Sequence, residues 1–295
     1  REDYVLQKCI NQAKAVFHFS AQVAVTTSIV NPKIDFDVNI NGTFKLLEAI
    51  RKSPNRPPLI FTSTNKVYGN LGEMKFSMNG TRYNPMDLNI KENGISENRE
   101  LDFHSPYGCS KGSADQYVLD YSKSFGLKTV VFRMSCIYGP HQFGNEDQGW
   151  VAHFLISALK DKPIVIYGNG KQVRDILYAE DLVDAFQLAL KNINRIKGEV
   201  FNIGGGPENT VSLIEILNKI KEIIGSEMEI TFDEWRTGDQ YYYVSDFSKF
   251  EKAAGWFPKY GVEEGLTGLL EWLKEHRNIE SQKEKTNQPS KVLLP

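Results

Sequence analysis

The sequence predicts an α/β fold built on a parallel sheet that is covered on both faces. Two observations carry this: apolar runs at 15–20, 59–64 and 129–134 show little alternation, and stretches of helical spacing separate them. A strand buried on both faces has no polar side to alternate with. Strand, helix, strand in that order makes a right-handed crossover the default. With 295 residues, 41% hydrophobic and 24% charged, the chain is long enough for one large domain or two modest ones.

Taken in order, residues 1–14 read as the end of a helix that feeds the strand at 15–20, so the chain begins within a fold. Asn31-Pro32 opens a helix, with proline tolerated in the first turn, and Phe36, Ile40, Phe44, Leu47 and Ile50 carry its apolar spacing to Arg51. The proline-rich stretch from Ser53 to Pro58 ends it before the strand at 59–64. Residues 69–105 are polar without a sustained period and read as a long excursion above the sheet edge, a length that marks function or disorder. A helix follows from Pro106 to Phe125, stopped by Gly126, and then the strand at 129–134.

Past Gly139-Pro140 the pattern loosens. A helix at 151–160, a strand at 164–167, a Gly168-Asn169-Gly170 turn and a helix at 181–191 come at shorter intervals. The strand at 200–203 runs into Gly204, Gly205 and Gly206, which read mainly as a turn, because a nucleotide loop needs spaced glycines that open a helix directly. Helices at 212–224, 247–254 and 262–277 close the fold, and residues 281–295 read as a flexible tail. There is no internal repeat.

A formal net charge of −2 leaves no basic footprint for nucleic acid. No apolar run approaches the roughly 18 residues of a membrane span. Cys9, Cys109 and Cys136 lack metal-ligand spacing and suit a reducing cytoplasm, where they read as buried, inert thiols. No metal site is expected.

Three pairs match Tyr-x-x-x-Lys: Tyr4/Lys8, Tyr107/Lys111 and Tyr167/Lys171. The last spans a Gly-Asn-Gly turn, and the first has no hydroxyl-bearing strand end before it. Tyr107/Lys111 opens a helix downstream of a strand ending in Thr62-Ser63-Thr64, and open α/β sheets place ligands outside the carboxyl ends of such strands. On a helix the two side chains project from one face, one turn apart. A phenol with a pKa near 10 is too protonated to act as a base unaided, and a neighbouring ammonium together with a positive nicotinamide ring favours the phenolate. Lys111 is thus expected to tune Tyr107, with Thr64 holding the reacting alcohol. His18 and His104 are expected to be structural.

These residues resemble the extended short-chain dehydrogenase/reductase family of nucleotide-sugar-modifying enzymes, also called the NAD-dependent epimerase/dehydratase family. The resemblance rests on Phe19-Ser20-Ala21-Gln22 after a strand, Asn39 in an Asn-x-x-Gly-Thr helix, Thr62-Ser63-Thr64 with Val67-Tyr68-Gly69, Tyr107 with Lys111, and Arg174-Asp175. It implies a Rossmann-like doubly wound parallel sheet with a smaller C-terminal α/β substrate domain. The NAD domain would take residues 1–140 and roughly 170–200, the substrate domain 141–170 and 201–280. The family's glycine-rich loop, with its strand and the acidic residue that binds adenosine ribose, is absent from these residues; the resemblance places this first βαβ part, about 30 residues or more, ahead of residue 1.

By the same resemblance the catalytic set is Thr64, Tyr107 and Lys111. Phe19, Ser20, Ala21, Gln22, Asn39, Ser63, Tyr107, Lys111 and Ser135 would face NAD, and Thr64, Asn65, Gln142, Arg174 and Arg236 the substrate. The runs Ser63 to Gly69, Leu101 to Lys111 and Asp147 to Trp150 resemble the branch of the family that inverts C2 of a CDP-linked sugar. Sugar dehydratases of the family carry Asp-Glu where this chain has Asn65-Lys66, which removes the acid and base that elimination needs. The alternatives are a UDP-hexose 4-epimerase, which uses the same three residues, and a catalytically silent sugar-nucleotide binder. A cytoplasmic homodimer or homotetramer, paired through the helices around Phe44 and Tyr107, and a role in lipopolysaccharide O-antigen synthesis are implied likewise.

Overall fold

The computed structural model of the protein describes residues 2–236 and 238–277, so the tail expected at 281–295 lies outside the described residues. The main sheet has four parallel strands in the order Val16–His18, Leu59–Thr64, Thr129–Met134, Glu199–Ile203. Successive side chains of a strand go to opposite faces. Here both faces are apolar: Phe61 and Val131 meet Leu47, Ile50 and Val118 of one helical layer, while Ile60, Val130 and Phe132 meet Ala185, Phe250 and Trp256 of the other. Two covered faces explain the missing alternation.

A second unit is centred on the strand Val173–Tyr178, buried at every residue. It pairs antiparallel with Thr210–Ser212 and parallel with Tyr242–Tyr243 and Cys136–Tyr138. Helices Trp150–Leu159, Leu213–Ile224 and Val262–Arg277 pack over this unit around Leu155, Ile216 and Leu269. Ile164–Tyr167 pairs with Ile230–Asp233 in a separate two-stranded sheet. The excursion at 69–105 is not structureless: it contains the hairpin Phe76–Asn79/Arg82–Pro85 and the helix Leu88–Asn93, and Arg82 docks it to Glu215 at 2.7 Å.

The expected boundaries need correction. Residues 173–178 belong to the second sheet although 170–200 was assigned to the NAD domain, because Val-Arg-Asp-Ile-Leu-Tyr carries buried charges and hides its strand character. The cut at 200/201 falls inside a main-sheet strand, and helix Ser248–Ala254 packs on the main sheet through Phe250. The triple glycine is more than a turn: a Cβ at Gly204 would stand 2.1 Å from the Asp175 carboxylate, and one at Gly205 2.2 Å from the Ile176 carbonyl. Glycine lets the end of one sheet cross the other. Cys9 and Cys109 are exposed, not buried, and Cys136 is half-buried.

The helix expected from Asn31 to Arg51 runs on to Lys52, but its middle, Phe36–Asn41, is π-helical, and a short helix Val25–Val30 precedes it. Helix Pro106–Phe125 has the expected bounds: Ser105 caps it by accepting from the Gly108 amide at 3.0 Å, Pro106 takes the first turn, and Gly126 ends it at φ 69°. This helix is locked to the sheet by a buried ion pair. Asp115 accepts from Arg133 at 2.8 and 3.1 Å and from Ser63 at 3.0 Å, and both charged residues are almost fully enclosed. Asp115→Ala leaves the Arg133 charge buried without its carboxylate and is expected to cost about 3–5 kcal/mol, read as a lowered midpoint in urea unfolding; a loss under about 1 kcal/mol would contradict this account.

Candidate active site

At the carboxyl ends of the main-sheet strands lies a cavity of about 780 Å³, walled on its far side by the second unit. The structure brings eight of the expected residues to its lining: Ser63, Thr64, Asn65, Tyr107, Ser135, Gln142, Arg174 and Arg236. Thr64 ends its strand and caps the short turn Asn65–Tyr68, accepting from the Lys66 amide at 3.3 Å. Its hydroxyl lies close enough to the Tyr107 phenol to draw the phenol's pKa down.

Behind Tyr107, Lys111 is buried with its Nζ 2.5 Å from the Thr62 carbonyl and 4.5 Å from the centre of the Phe61 ring. Burial pushes the ammonium down to about 8, against the pull of Asp115, so it stays largely charged at neutral pH. The Tyr107 phenol moves the other way. Burial raises it, the Thr64 hydroxyl opposes this, and Asp35 reinforces the rise.

The residues assigned to NAD divide. Asn39 sits on the π-helical turn and ties the loop after the first strand to the Tyr107 helix: its Oδ1 accepts from the Gln22 amide at 2.8 Å, and its Nδ2 donates to the Gln22 carbonyl at 3.1 Å and to Ser110 at 2.8 Å. Phe19 and Ser20 are exposed and Ala21 half-buried, and none of Phe19 to Gln22 lines the cavity. Ser63 and Ser135 line it while their hydroxyls are engaged, Ser63 with Asp115 and Ser135 with the Asp175 carbonyl at 2.9 Å.

On the substrate side, Arg174 is held by Asp239 at 2.6 Å. Arg236 lies 3.9 Å above the Tyr167 ring, with Glu146 and Asp147 at 3.6 and 3.7 Å. Gln142 donates to the Ile137 carbonyl at 2.9 Å, while its buried Oε1 has no partner among the described residues. Asn65 is buried beside Thr64, 3.3 Å from its hydroxyl.

Sequence reasoning missed Lys66 and Asp239 as site residues. Lys66 Nζ stands 3.4 Å from the same Asp239 oxygen that Arg174 uses, and 3.3 Å from the Gly238 carbonyl. Burial pushes Lys66 down, opposed by Asp239; for Asp239 itself burial is outweighed by Arg174 and Lys66, which hold it below the usual carboxylate range. Tyr167, discarded as a base with Lys171, returns as the platform for Arg236. Neither expected structural histidine lines the cavity: His18 meets Thr43 at 2.9 Å and His104 meets Asp102 at 2.7 Å. Among the described residues no group of three or more His, Cys, Asp or Glu is placed to hold a metal, and no helix is long and apolar enough to cross a membrane.

Residues 2–204 match the model of the NAD dependent epimerase/dehydratase family. The chain is 46% identical over 261 residues to CDP-paratose 2-epimerase of Salmonella typhi, covering 87% of this chain and 76% of that protein. It is 32% identical over 263 residues to a putative UDP-glucose 4-epimerase of Methanocaldococcus jannaschii, covering 89% and 78%. Among solved structures, the Thermus thermophilus UDP-glucose 4-epimerase in complex with NAD superposes with a TM-score of 0.78 at 29% identity, covering 93% of this chain and 82% of that one.

His18, beside Lys111, is pushed down from 6.5 to about 4 by burial first and by the Lys111 charge second. As pH falls below 6.5 the unfolded chain takes up a proton at this position that the folded one refuses until about 4. Stability therefore drops across that window and is unaffected above it, by about 3 kcal/mol in all. His18→Gln is expected to flatten this part of the stability profile, measured by urea unfolding at a series of pH values between 7 and 4; an unchanged slope would rule the assignment out.

Proposed function

The chain belongs to the NAD dependent epimerase/dehydratase family, and from that premise we propose that it is an isomerase that inverts C2 of CDP-paratose to give CDP-tyvelose, using NAD. The observation that carries the chemistry is the placing of Thr64 and Tyr107 together in the lining of a cavity whose other walls offer Arg174 and Arg236. The choice of sugar rests on the 46% identity to CDP-paratose 2-epimerase, and the UDP-hexose 4-epimerase reading, with 32% identity, fits less well.

The residues present fit the nicotinamide and ribose end of NAD. Lys111 is buried with three ammonium protons and, among the described residues, gives one of them to the Thr62 carbonyl, so donors remain for the vicinal hydroxyls of a ribose. Asn39 and Gln22 would hold the adjoining loop. When bound, NAD supplies a hydride acceptor for sugar C2 and returns the hydride to it.

Tyr107 takes the proton of the 2-hydroxyl as C2 is oxidised, and Thr64 holds that oxygen and shares the proton. The resulting 2-keto sugar must present its opposite face before reduction. Arg174 and Arg236 keep the diphosphate fixed meanwhile, a charge-assisted contact well matched to phosphate oxygens. The hexose turns about its glycosyl and phosphate bonds, Tyr107 returns the proton to the same oxygen, and the stereocentre is inverted with no net redox change. Gln142, with an unpaired acceptor in the cavity wall, and Asn65 complete the contacts to the substrate.

The exposed Phe44 and Tyr117, with ring centres 6.1 Å apart on the two helices, support pairing of copies through that face. The free cysteines suit a cytoplasmic location.

Incubating the NAD-loaded enzyme with CDP-paratose and with UDP-galactose, and following C2 and C4 by NMR, decides the substrate; inversion at C4 alone would refute the proposal. Tyr107→Phe is expected to keep fold and substrate affinity and to lower kcat by about 10²–10⁴-fold. Arg236→Met should mainly raise KM, about tenfold or more, with C2 inversion retained.

A further inference from the structure

The seam between two helices behind Tyr107 is polar where an apolar one would pack. Asp35, which ends the segment Pro32–Asp35, and Asn39, on the π-helical turn that continues it, lie four residues apart and meet helix Pro106–Phe125 at Ser110. All three are closed off from solvent, with exposures of 1%, 2% and 3%. Asn39 is fully used by Gln22 and Ser110. The Ser110 hydroxyl accepts from Asn39 and donates its single proton to the Tyr107 carbonyl at 2.9 Å.

Asp35 differs from its neighbours. Neither oxygen of its carboxyl meets a donor at hydrogen-bonding geometry among the described residues. A buried carboxyl in this position is costly to ionise, and burial does raise its pKa, while its own backbone amide first and the nearby Ser110 hydroxyl second draw it back down. The single Ser110 proton thus has two possible acceptors: the Tyr107 carbonyl, which it reaches, and the Asp35 carboxyl, which becomes the stronger acceptor on ionising.

We propose that Asp35 is a positioning residue of the site, acting on Tyr107 through the shared Ser110 hydroxyl. Ionised, it draws that proton from the Tyr107 carbonyl and sets a negative charge near the phenol, which favours the protonated phenol. For a reaction that removes a proton and must restore it, this charge assists the return leg. Few other groups compete for Asp35. Helix Val25–Val30, packed against its segment, contains no titratable residue, and its buried Ser28 donates to the Val25 carbonyl. On its own helix Lys33 and Asp37 pair with each other on the exposed side. From helix Pro106–Phe125, Tyr107 is the titratable group coupled to it, and Lys111 is directed to the Thr62 carbonyl.

The inference rests on the proposed reaction for its kinetic test, and a second readout frees it from that reading. In the NAD-loaded enzyme, Asp35→Asn should shift the rising limb of the kcat profile to lower pH by about half a unit or more. Asp35→Glu should restore the wild-type midpoint. Ser110→Ala leaves Asp35 more protonated and should move the midpoint in the same direction, so it carries the test if Asp35→Asn does not fold. A merely structural Asp35 would lower kcat at every pH without moving the midpoint, and that result would overturn the proposal. Independently of turnover, ¹³Cζ-tyrosine NMR, with the Tyr107 signal assigned from Tyr107→Phe, should show the same downward shift. If no substrate is epimerised but this resonance moves, the reaction assignment fails and the Asp35 assignment stands; if the resonance does not move, the Asp35 assignment fails.

Discussion

The buried ammonium of Lys111 on the Thr62 carbonyl is the contact from which the rest of the site is built. A charge enclosed by protein must find partners or lose its proton, and here it finds a carbonyl at the end of a strand and the face of Phe61. The contact is one of three. Tyr107, Lys111 and Asp115 stand at successive four-residue intervals on one face of their helix and engage Thr64, the Thr62 carbonyl and Ser63. The seam around them is otherwise apolar, with Ala114 and Val118 against Phe61 and Val131. Apolar packing sets how close helix and strand come but tolerates sliding; the three polar contacts fix the register. A slip of one residue would unpair two buried charges at once.

The far wall of the cavity works differently. Arg174 and Lys66 share one oxygen of Asp239, and Arg236 lies near Glu146 and Asp147 over the Tyr167 ring. Each cation already has a carboxylate, so on the proposed reading a diphosphate gains contact by competing with acids rather than by filling bare positive charge. Guanidinium groups suit that exchange because their fork of donors can serve a phosphate and a carboxylate together. On the proposed reading, charge is concentrated where the nucleotide is held, while Thr64, Asn65 and Tyr107 offer the hexose hydroxyl, amide and phenol groups.

The main sheet was legible because strands covered on both faces leave continuous apolar runs, and the Tyr107 helix because Ser105-Pro106 and Gly126 mark its ends. The strand Val173–Tyr178 was not, since its buried Arg174 and Asp175 read as surface charge until Asp239 and Ser135 are brought beside them by the fold. The pairing of Lys66 with Asp239 spans 173 residues and leaves no local trace. The π-helical turn at Phe36–Asn41 is equally silent, for the apolar spacing that announces a helix is the same with or without it. Spacing also says nothing of the desolvation of the phenol, which depends on what covers Tyr107 and not on what lies four residues away.

That raised phenol suits an inverting reaction better than a simple oxidation. An enzyme that only removes a hydrogen gains from a base whose anion is stable at rest, since the proton need never come back to the same substrate. An enzyme that inverts a carbinol must return the proton to the oxygen it left, and every stabilisation of the phenolate makes that second step harder. In this protein burial and Asp35 both favour the neutral phenol, while Thr64 alone pulls toward the anion. On the proposed reading the phenol is thus poised for return, and the forward step depends on charge brought into the site with its ligands.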